Sequence, residues 1–485
     1  VKTDIPEVVV QTANTLTVAG FEAFLVGGCV RDLLLNKKPR DWDITTNANP
    51  EQIQALFPHS FYENTYGTVG IVNDGVSDET LKTIEITPYR IDGTYLDKRH
   101  PQSVIFARTI EEDLARRDFT MNAIALDYKG QLKDPYKGQK DIKDGLIRAV
   151  GNAEERFNED ALRMLRAVRL SAELDFAIEE TTKKAIVENA KLLAEISRER
   201  IRDEFTKIIM SDHPKRGLEV AHEVGLLKYI SPDLEAGIGM EQGGIHAYDV
   251  WEHTLRTVDH AAKKSWSLEV RLAALLHDIG KPPTRKKGPL KWTFYGHDVV
   301  GARIAEHILS NLKFPKKTIE KVSKLVRWHM FFSDTETITP SAVRRLISNV
   351  GKENIWDLMD VRVADRVGTG RPKESPYRLR KYHAMIDEVM RDPISVGMLA
   401  IDGSNIMKAA GEKAGPRIGF ILHALLEEVL ENPKINTLEY LEKRASDMAK
   451  MTDLELKQLG EKGKQAEAAE EQKEISKIRK QHFVE

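Results

Sequence analysis

One change of texture along the chain fixes most of what it can fold into. Up to about residue 150, short apolar runs are punctuated by Gly and Pro: Ala23 to Val26, Thr68 to Val72, Leu81 to Thr87, Ser103 to Ala107 and Ile124 to Tyr128. Runs of that length, bounded by turn residues, form strands. Helical spacing at Pro6 to Ala19 and at Val30 to Leu35 falls among them, which predicts a small mixed α/β domain. Beyond Gly151 the chain carries long charged and aliphatic segments at helical spacing, with few β-branched runs. The remainder is expected to be nearly all α, and the fold class is α+β.

With 485 residues, 41% of them hydrophobic, the chain holds enough apolar material for several cores, so two to four domains are expected. Glycine-rich breaks at Gly237 to Gly244 and Gly368 to Pro376 suggest the divisions 1–150, 151–236, 237–370, 371–451 and 452–485. No repeat stands out at a period of 20 to 50 residues. The last segment carries seven basic against eight acidic residues and few large apolar ones, which predicts a solvated helix or a disordered tail. No stretch approaches the ~18 apolar residues of a membrane span, and no signal pattern opens the chain, so a soluble cytoplasmic protein is expected. Lys and Arg (73) nearly balance Asp and Glu (75), so the net charge announces no polyanionic partner. The single cysteine, Cys29, excludes an intrachain disulfide framework and a multi-thiolate zinc site. Any metal must be held by carboxylates and imidazoles.

Two stretches of the first domain suit phosphates and hard cations. Phe24-Leu25-Val26-Gly27-Gly28 runs an apolar strand into a glycine pair that opens a helix, leaving backbone N–H groups accessible to a phosphate, with Arg31 adding a cation. Asp41 and Asp43 are two residues apart, so on an extended strand both carboxylates point to one side and can grip divalent ions together. Two such ions suit nucleotidyl transfer. Glu85, in another strand pattern, either flanks these metals or faces solvent. Arg116 and Arg117 with Asp118 and Asn122 are either cationic forks for a triphosphate and acceptors for a ribose hydroxyl or a charged helix end. Over Arg156 to Ala172, the residues Ala161, Leu165, Val168 and Ala172 form an inward stripe of one helix. Asp160 and Arg163, at i and i+3, are either an acceptor and donor set for a base edge or neighbours of a Glu159–Arg163 surface pair.

The set Gly27-Gly28-x-Val30-Arg31-Asp32, Asp41-x-Asp43, Arg116-Arg117-Asp118-Phe119-Thr120-x-Asn122-Ala123 and Glu159-Asp160-Ala161-Leu162-Arg163 resembles the class II tRNA nucleotidyltransferases, that is, the bacterial CCA-adding enzymes and poly(A) polymerases. The resemblance covers most of the first ~230 residues. It implies a polymerase-β-like head with Asp41 and Asp43 as catalytic, magnesium-binding residues. It further implies nucleotide contacts at Gly27, Gly28, Arg31, Asp32, Arg116, Arg117, Asp118, Asn122, Arg166 and Arg169. Asp160 and Arg163 become the readers that select CTP and then ATP. The polar stretch Tyr89 to Pro101 reads as a mobile loop, and the resemblance associates such a loop with the switch to ATP.

Further on, His253, His277-Asp278, His297, His329 and Asp365 follow in an order that resembles the HD phosphohydrolase superfamily. That resemblance implies His253, His277, Asp278 and Asp365 as first metal ligands, and His297 and His329 as a fuller or second-metal set. The donor types favour Mn, Mg, Ni or Fe-type ions over structural zinc. The implied activity is phosphomonoester or phosphodiester hydrolysis, with Lys281 near the phosphate; the alternative is an inert remnant that positions tRNA. Candidate RNA grips are Arg198-Arg200-Arg202, Lys215-Arg216, Arg344-Arg345, Arg371 to Lys381, and Lys413 with Arg417, and the Asp402 to Gly419 segment is similar to tail segments that contact RNA.

The expected activity is therefore addition or repair of the 3′-terminal CCA of tRNA from CTP and ATP, with magnesium in the head and a divalent ion in the HD domain. The rivals are A-only addition, poly(A) synthesis, and a metal-dependent phosphohydrolase with an RNA-binding head.

Overall fold

The computed structural model describes residues 5–62, 67–92, 104–243, 247–288, 292–331, 338–371 and 373–459. Contacts divide the chain into two units, Val1–Glu235 with Asn311–Phe314, and Ala236–Ser310 with Pro315–Glu485. The first opens with helix α1 (Glu7–Val18) and strand β1 (Ala23–Val26), followed by α2 (Gly28–Leu34), β2 (Asp43–Thr46), α3 (Pro50–Leu56), β3 (Ser60–Tyr62), β4 (Val69–Val72) and β5 (Thr83–Pro88). Strands β6 (Arg90–Asp92) and β7 (Val104–Phe106) pair with each other in a separate two-stranded sheet, and α4 (Ile110–Ala115), β8 (Ala125–Leu126) and β9 (Leu132–Lys133) follow. The sheet order is β3-β4-β5-β2-β1-β8-β9. Only the β2–β5 pair is parallel in this sheet, and it sets Asp43 beside Glu85. The apolar runs behave as their pattern requires: Leu25, Val26, Ile44, Ile84 and Ile86 are buried. The mixed head expected from the sequence is present.

The rest of this unit is helical: α5 (Gly138–Asp144), α6 (Ala153–Glu159), α7 (Leu162–Leu174), α8 (Glu180–Asn189), α9 (Arg198–Met210), α10 (Pro214–Glu223) and α11 (Leu227–Ile230), with the short parallel pair β10 (Leu146–Ile147) and β11 (Ala177–Ile178). One expectation is corrected here. Arg156 to Ala172 is not one helix, because Asp160 is extended (φ −142, ψ 103) and separates α6 from α7. The Asp160 carboxylate accepts from Leu162 N–H at 3.1 Å, so the side chain satisfies a donor that a new helix start leaves open and favours the break. The predicted stripe survives within the new frame: Ala161, Leu165, Val168 and Ala172 are all buried.

The second unit contains α12 (Val250–Lys263), α13 (Leu268–Leu276), α14 (Lys281–Thr284), a hairpin of β12 (Lys286–Lys287) and β13 (Trp292–Thr293), α15 (His297–Asn311), α16 (Lys316–Trp328), α17 (Pro340–Val350) and α18 (Ile355–Gly368). Small residues let three of these helices approach closely: Ala261, Ala274 and Ala364 form a buried cluster between α12, α13 and α18. Gly368 has the same role, since a Cβ there would lie 2.1 Å from Thr257 Oγ1. The chain ends in α19 (Tyr377–Val389), α20 (Gly403–Ala410), α21 (Pro416–Glu431) and α22 (Leu438–Met448) around a core that includes Ile406, Leu425 and Leu441. Leu456 is fully buried in that core, so the final segment does not begin as a solvated tail. Residues 460–485 lie outside the described residues. Among the described residues no helix is long and apolar enough to cross a membrane.

Candidate active site and metal centre

The head site is built around the turn from β1 into α2. Gly27 sits at φ +79, a conformation L side chains rarely adopt. A Cβ there would also lie 3.3 Å from Arg117 Nη1 and 3.4 Å from Asp43 Oδ2, and one on Gly28 would lie 3.8 Å from Asp41 Oδ1 and 3.6 Å from Arg31 Nη2. The glycine pair therefore brings the predicted carboxylates and two predicted cations around one turn. Asp43 opens β2, whereas Asp41 lies in the bend before it rather than on the strand, with the buried Trp42 between them. Glu85 lies beside Asp43 on β5, but among the described residues it completes no three-ligand cluster with the pair.

A hydrogen-bonded relay backs this turn. Arg31 pairs with Asp32 and donates to Asn122 Oδ1 at 3.1 Å; Asn122 donates to Asp118 at 3.2 Å; Asp118 pairs with Arg166 at 2.8 Å. Burial would raise the Asp118 carboxyl, yet Arg166, Asn122 and Arg163 hold it below its ordinary value. Arg169 is fixed to Glu204 of α9 at 3.1 Å.

Asp160 and Arg163 bond each other through the backbone, Arg163 N–H donating to Asp160 O at 3.0 Å, but their side chains turn to different partners. Arg200 of α9 clamps both Asp160 oxygens, at 3.2 and 2.7 Å. Arg163 donates through Nη1 to Glu159 (2.6 Å) and Arg156 O (3.2 Å), and through Nη2 to Arg116 O (3.1 Å). The Glu159–Arg163 pair weighed from sequence is thus present, and it is partly buried rather than a surface pair.

Several expected RNA grips are committed elsewhere. Arg344 donates to Leu430 O and Glu431 O and pairs with Asp392; Arg345 pairs with Glu427 and Glu431. Arg417 is held by Glu412, Asp453 and the carbonyls of Ala449 and Met451. Arg216 donates to Ser171 and Phe176 O. These cations tie helix ends and loops together, where charge and carbonyl acceptors coincide.

The second centre lies in the second unit. Two groups of donors gather there: His253, His277 and Asp365, and Asp278, His297 and His329, all six buried. Asp278 joins them, with Oδ2 3.2 Å from both His253 and His277 Nε2, and Oδ1 3.4 Å from His297 and 3.8 Å from His329 Nε2. Asp278 thus faces His253 and His277 through one oxygen and His297 and His329 through the other. Three rings have a fixed tautomer. Nδ1 of His277, His297 and His329 each faces the carbonyl three residues back, Ala274, Phe294 and Val326, at 2.7 to 2.9 Å. A carbonyl only accepts, so Nδ1 carries the proton and Nε2 offers its lone pair inward. Burial and the imidazoles of His277 and His297 push His329 down to about 3, which keeps it neutral. The Nε2 atoms of His253 and His277 lie 3.0 Å apart, the spacing of adjacent donors about 2.1 Å from a shared ion. The donor set therefore fits divalent ions.

Known proteins place both centres in one context. Family models match residues 23–148 (Poly A polymerase head domain), 175–238 (probable RNA and SrmB-binding site of polymerase A) and 250–370 (HD domain). A CCA-adding enzyme of Geobacillus thermodenitrificans is 34% identical over 438 residues, covering 89% of this chain and 95% of the relative. The chain belongs to the CCA-adding enzyme family. A CC-adding tRNA nucleotidyltransferase of Thermus thermophilus is 35% identical over 441 residues, 86% of this chain and 92% of that one. The crystal structure of the Bacillus stearothermophilus CCA-adding enzyme in complex with CTP superposes with a TM-score of 0.69 at 31% identity, covering 92% of this chain and all of that one.

In this family member, sequence reasoning missed several supporting groups. Asp113, fully buried, pairs with Arg116 at 2.6 Å and Arg117 at 3.1 Å and so orients both forks. Its i+3 and i+4 spacing to them on a helical pattern is a signal that was there to use. Arg200 carries no such signal, because it meets Asp160 across 40 residues. Gln242, which accepts from Lys281 at 2.6 Å beside the HD centre, has none either.

Asp113→Ala is expected to destabilise the head by about 3 kcal/mol, since it removes the fully buried carboxylate that pairs with both the Arg116 and the Arg117 guanidinium. The loss is read as a lower urea midpoint of the head transition. Burial raises the Asp113 and Asp118 carboxyls, but arginines hold both below the ordinary value. Their stabilisation is therefore complete above the unfolded value of about 3.9 and disappears as pH falls below it. The same urea midpoint, followed from pH 7 to 3, checks this sign.

Proposed function

We propose that this chain completes the 3′ end of tRNA by adding C, C and A from CTP and ATP at the head site. The carrying observation is the convergence of Asp41, Asp43, Arg31 and Arg117 on the Gly27-Gly28 turn within a chain of this family. Asp41 and Asp43 present hard oxygen donors and would hold magnesium, which supplies positive charge at the α-phosphate and lowers the pKa of the attacking RNA hydroxyl. The glycine turn lets phosphate oxygens approach the backbone, and Arg31, Arg116 and Arg117 balance the charge of the departing pyrophosphate. Asp113 keeps two of those forks in place.

Base choice falls to Asp160 and Arg163. Cytosine and adenine each present an amino donor beside a ring-nitrogen acceptor, which suits a carboxylate next to a guanidinium. Uracil and guanine present the reverse order and would leave buried polar groups unpaired. Arg200 fixes Asp160, and Glu159 fixes one nitrogen of Arg163, so neither reader can turn to accept the reverse pattern. Arg200→Ala is expected to lower the C-over-U incorporation ratio about tenfold or more, with smaller change in total addition; competition between CTP and UTP on a tRNA lacking CCA reads it.

The HD cluster supports a second activity, hydrolysis of a phosphate ester. His253, His277, Asp278, His297, His329 and Asp365 would hold one or two divalent ions of Mn, Ni, Fe or Mg type, which supply an activated water when bound. Lys281, buried beside Asp278, balances charge there. A cytoplasmic setting follows from the proposed substrates, tRNA and nucleoside triphosphates.

The deciding experiment supplies CTP, ATP or both to tRNAs that end before CCA, after C and after CC. Three additions followed by a stop support this reading. A stop after CC, addition of A only to the CC end, or a long A tail replaces it with CC addition, A-only addition or poly(A) synthesis. Of the Tyr89–Pro101 stretch associated with ATP use, Tyr89 is buried and Arg90–Asp92 is a strand rather than a loop, while residues 93–101 lie outside the described residues, so product length carries this distinction.

A further inference from the structure

We propose that the β12–β13 hairpin beside the HD centre grips the 3′ end of a single-stranded RNA and presents it to that centre. The presentation rests on the reading of the HD cluster as a hydrolase; the grip does not. The hairpin lies in the chain between Lys281 and His297, pairing Lys286 with Thr293 and Lys287 with Trp292. Its cations differ from Arg216, Arg344, Arg345 and Arg417 of the other basic clusters, which are spent on carboxylates, carbonyls and a hydroxyl. Lys286 and Lys287 are exposed, and neither forms an ion pair among the described residues. The Arg285 guanidinium stacks over the Trp292 ring at 3.8 Å, and its buried Nε has no hydrogen-bond partner among the described residues. Tyr295 is 55% exposed in the turn that follows the same strand.

Cations interleaved with aromatic faces, one of them already stacked, match a strand whose phosphates and unstacked bases are both available. A duplex hides its base faces, and an acidic peptide would use the lysines but not the rings. The hairpin is also wired to the centre. Phe294 O accepts from His297 Nδ1 at 2.8 Å, and Lys281 Nζ lies 5.8 Å from the Phe294 ring centroid while bonding Asp278. Gly280 packs so tightly on the start of α15 that a Cβ there would lie 2.1 Å from His297 O. A strand end held on the hairpin is therefore one side chain from the metal ligands.

The test uses the full chain and a single-stranded hexanucleotide of RNA, unrelated to tRNA, carrying a 3′-phosphate and a photoreactive 4-thiouridine at its last position. The crosslink is expected on the peptide spanning residues 281–297. Lys286→Glu with Lys287→Glu should cut it about tenfold, and Tyr295→Ala about fivefold, the size of one lost stacking contact. Manganese-supported hydrolysis of bis(p-nitrophenyl) phosphate and nucleotide addition to tRNA should be unchanged in these variants. Crosslinks confined to residues 1–235, unchanged crosslinking in the variants, or displacement by polyglutamate at equal charge would overturn the proposal. If the wild-type chain crosslinks at the hairpin but leaves the small ester intact, the hydrolase reading falls, and presentation to the centre falls with it.

Discussion

Asp43→Ala is expected to lower the rate of C and A addition by about 10³-fold or more while leaving the fold intact. Asp43 opens β2, and its backbone is fixed by parallel pairing with Glu85 on β5 and by the buried Ile44 that follows. The side chain is only half-buried and contributes little to the core, so its removal deletes a proposed ligand for a cation rather than a packing element. Asp41 and Asp43 would hold magnesium together, so Asp41 alone is not expected to replace the missing charge. Asp43→Asn keeps the shape and loses the charge, and it should be nearly as damaging. Single-turnover extension of a tRNA lacking CCA measures both. A variant within tenfold of the wild-type rate would show that the carboxylate does not hold the reacting ions.

Asp278→Ala should empty the HD centre. Among the described residues this carboxylate reaches both histidine pairs, and Lys281 depends on it for charge balance. The His277 ring, whose burial favours neutrality, is carried above its ordinary value by Asp278 and Asp365, so the cluster is electrostatically coupled. Elemental analysis after dialysis against manganese is expected to fall from one or two ions to essentially none. Lys281, buried at 6% exposure, would lose its anion, and the second unit should lose about 3 kcal/mol. Asp278→Asn retains the side-chain volume and separates metal loss from that destabilisation. Nucleotide addition by the head should persist in both variants.

The strands of the head were legible because short apolar runs between turn residues leave few other folds, and β1, β4 and β5 fall where that pattern puts them. The Gly27-Gly28 turn and the Asp41/Asp43 pair were legible for a local reason: their chemistry depends on neighbours within a few residues. Asp160 marks where local reading ends. Its spacing to Arg163 suggested one helix, but an Asp side chain that caps the next helix competes with helix continuation, and periodicity does not register that competition. The guanidinium groups taken for RNA grips misled for a different reason. Arg344 and Arg417 are exposed by pattern yet meet carbonyls and carboxylates brought from distant segments. The HD residues were visible as an ordered series, whereas the sharing of Asp278 between two clusters needed the packing of α12, α13, α15, α16 and α18.

The central claim is that two chemically independent centres share one chain, and it is tested most directly by one preparation of Asp41→Ala assayed for both reactions. Addition of C to tRNA lacking CCA should be lost, while manganese-supported hydrolysis of bis(p-nitrophenyl) phosphate stays within twofold of the wild-type rate. Loss of both reactions in a variant with wild-type circular dichroism, or survival of addition, would contradict the account.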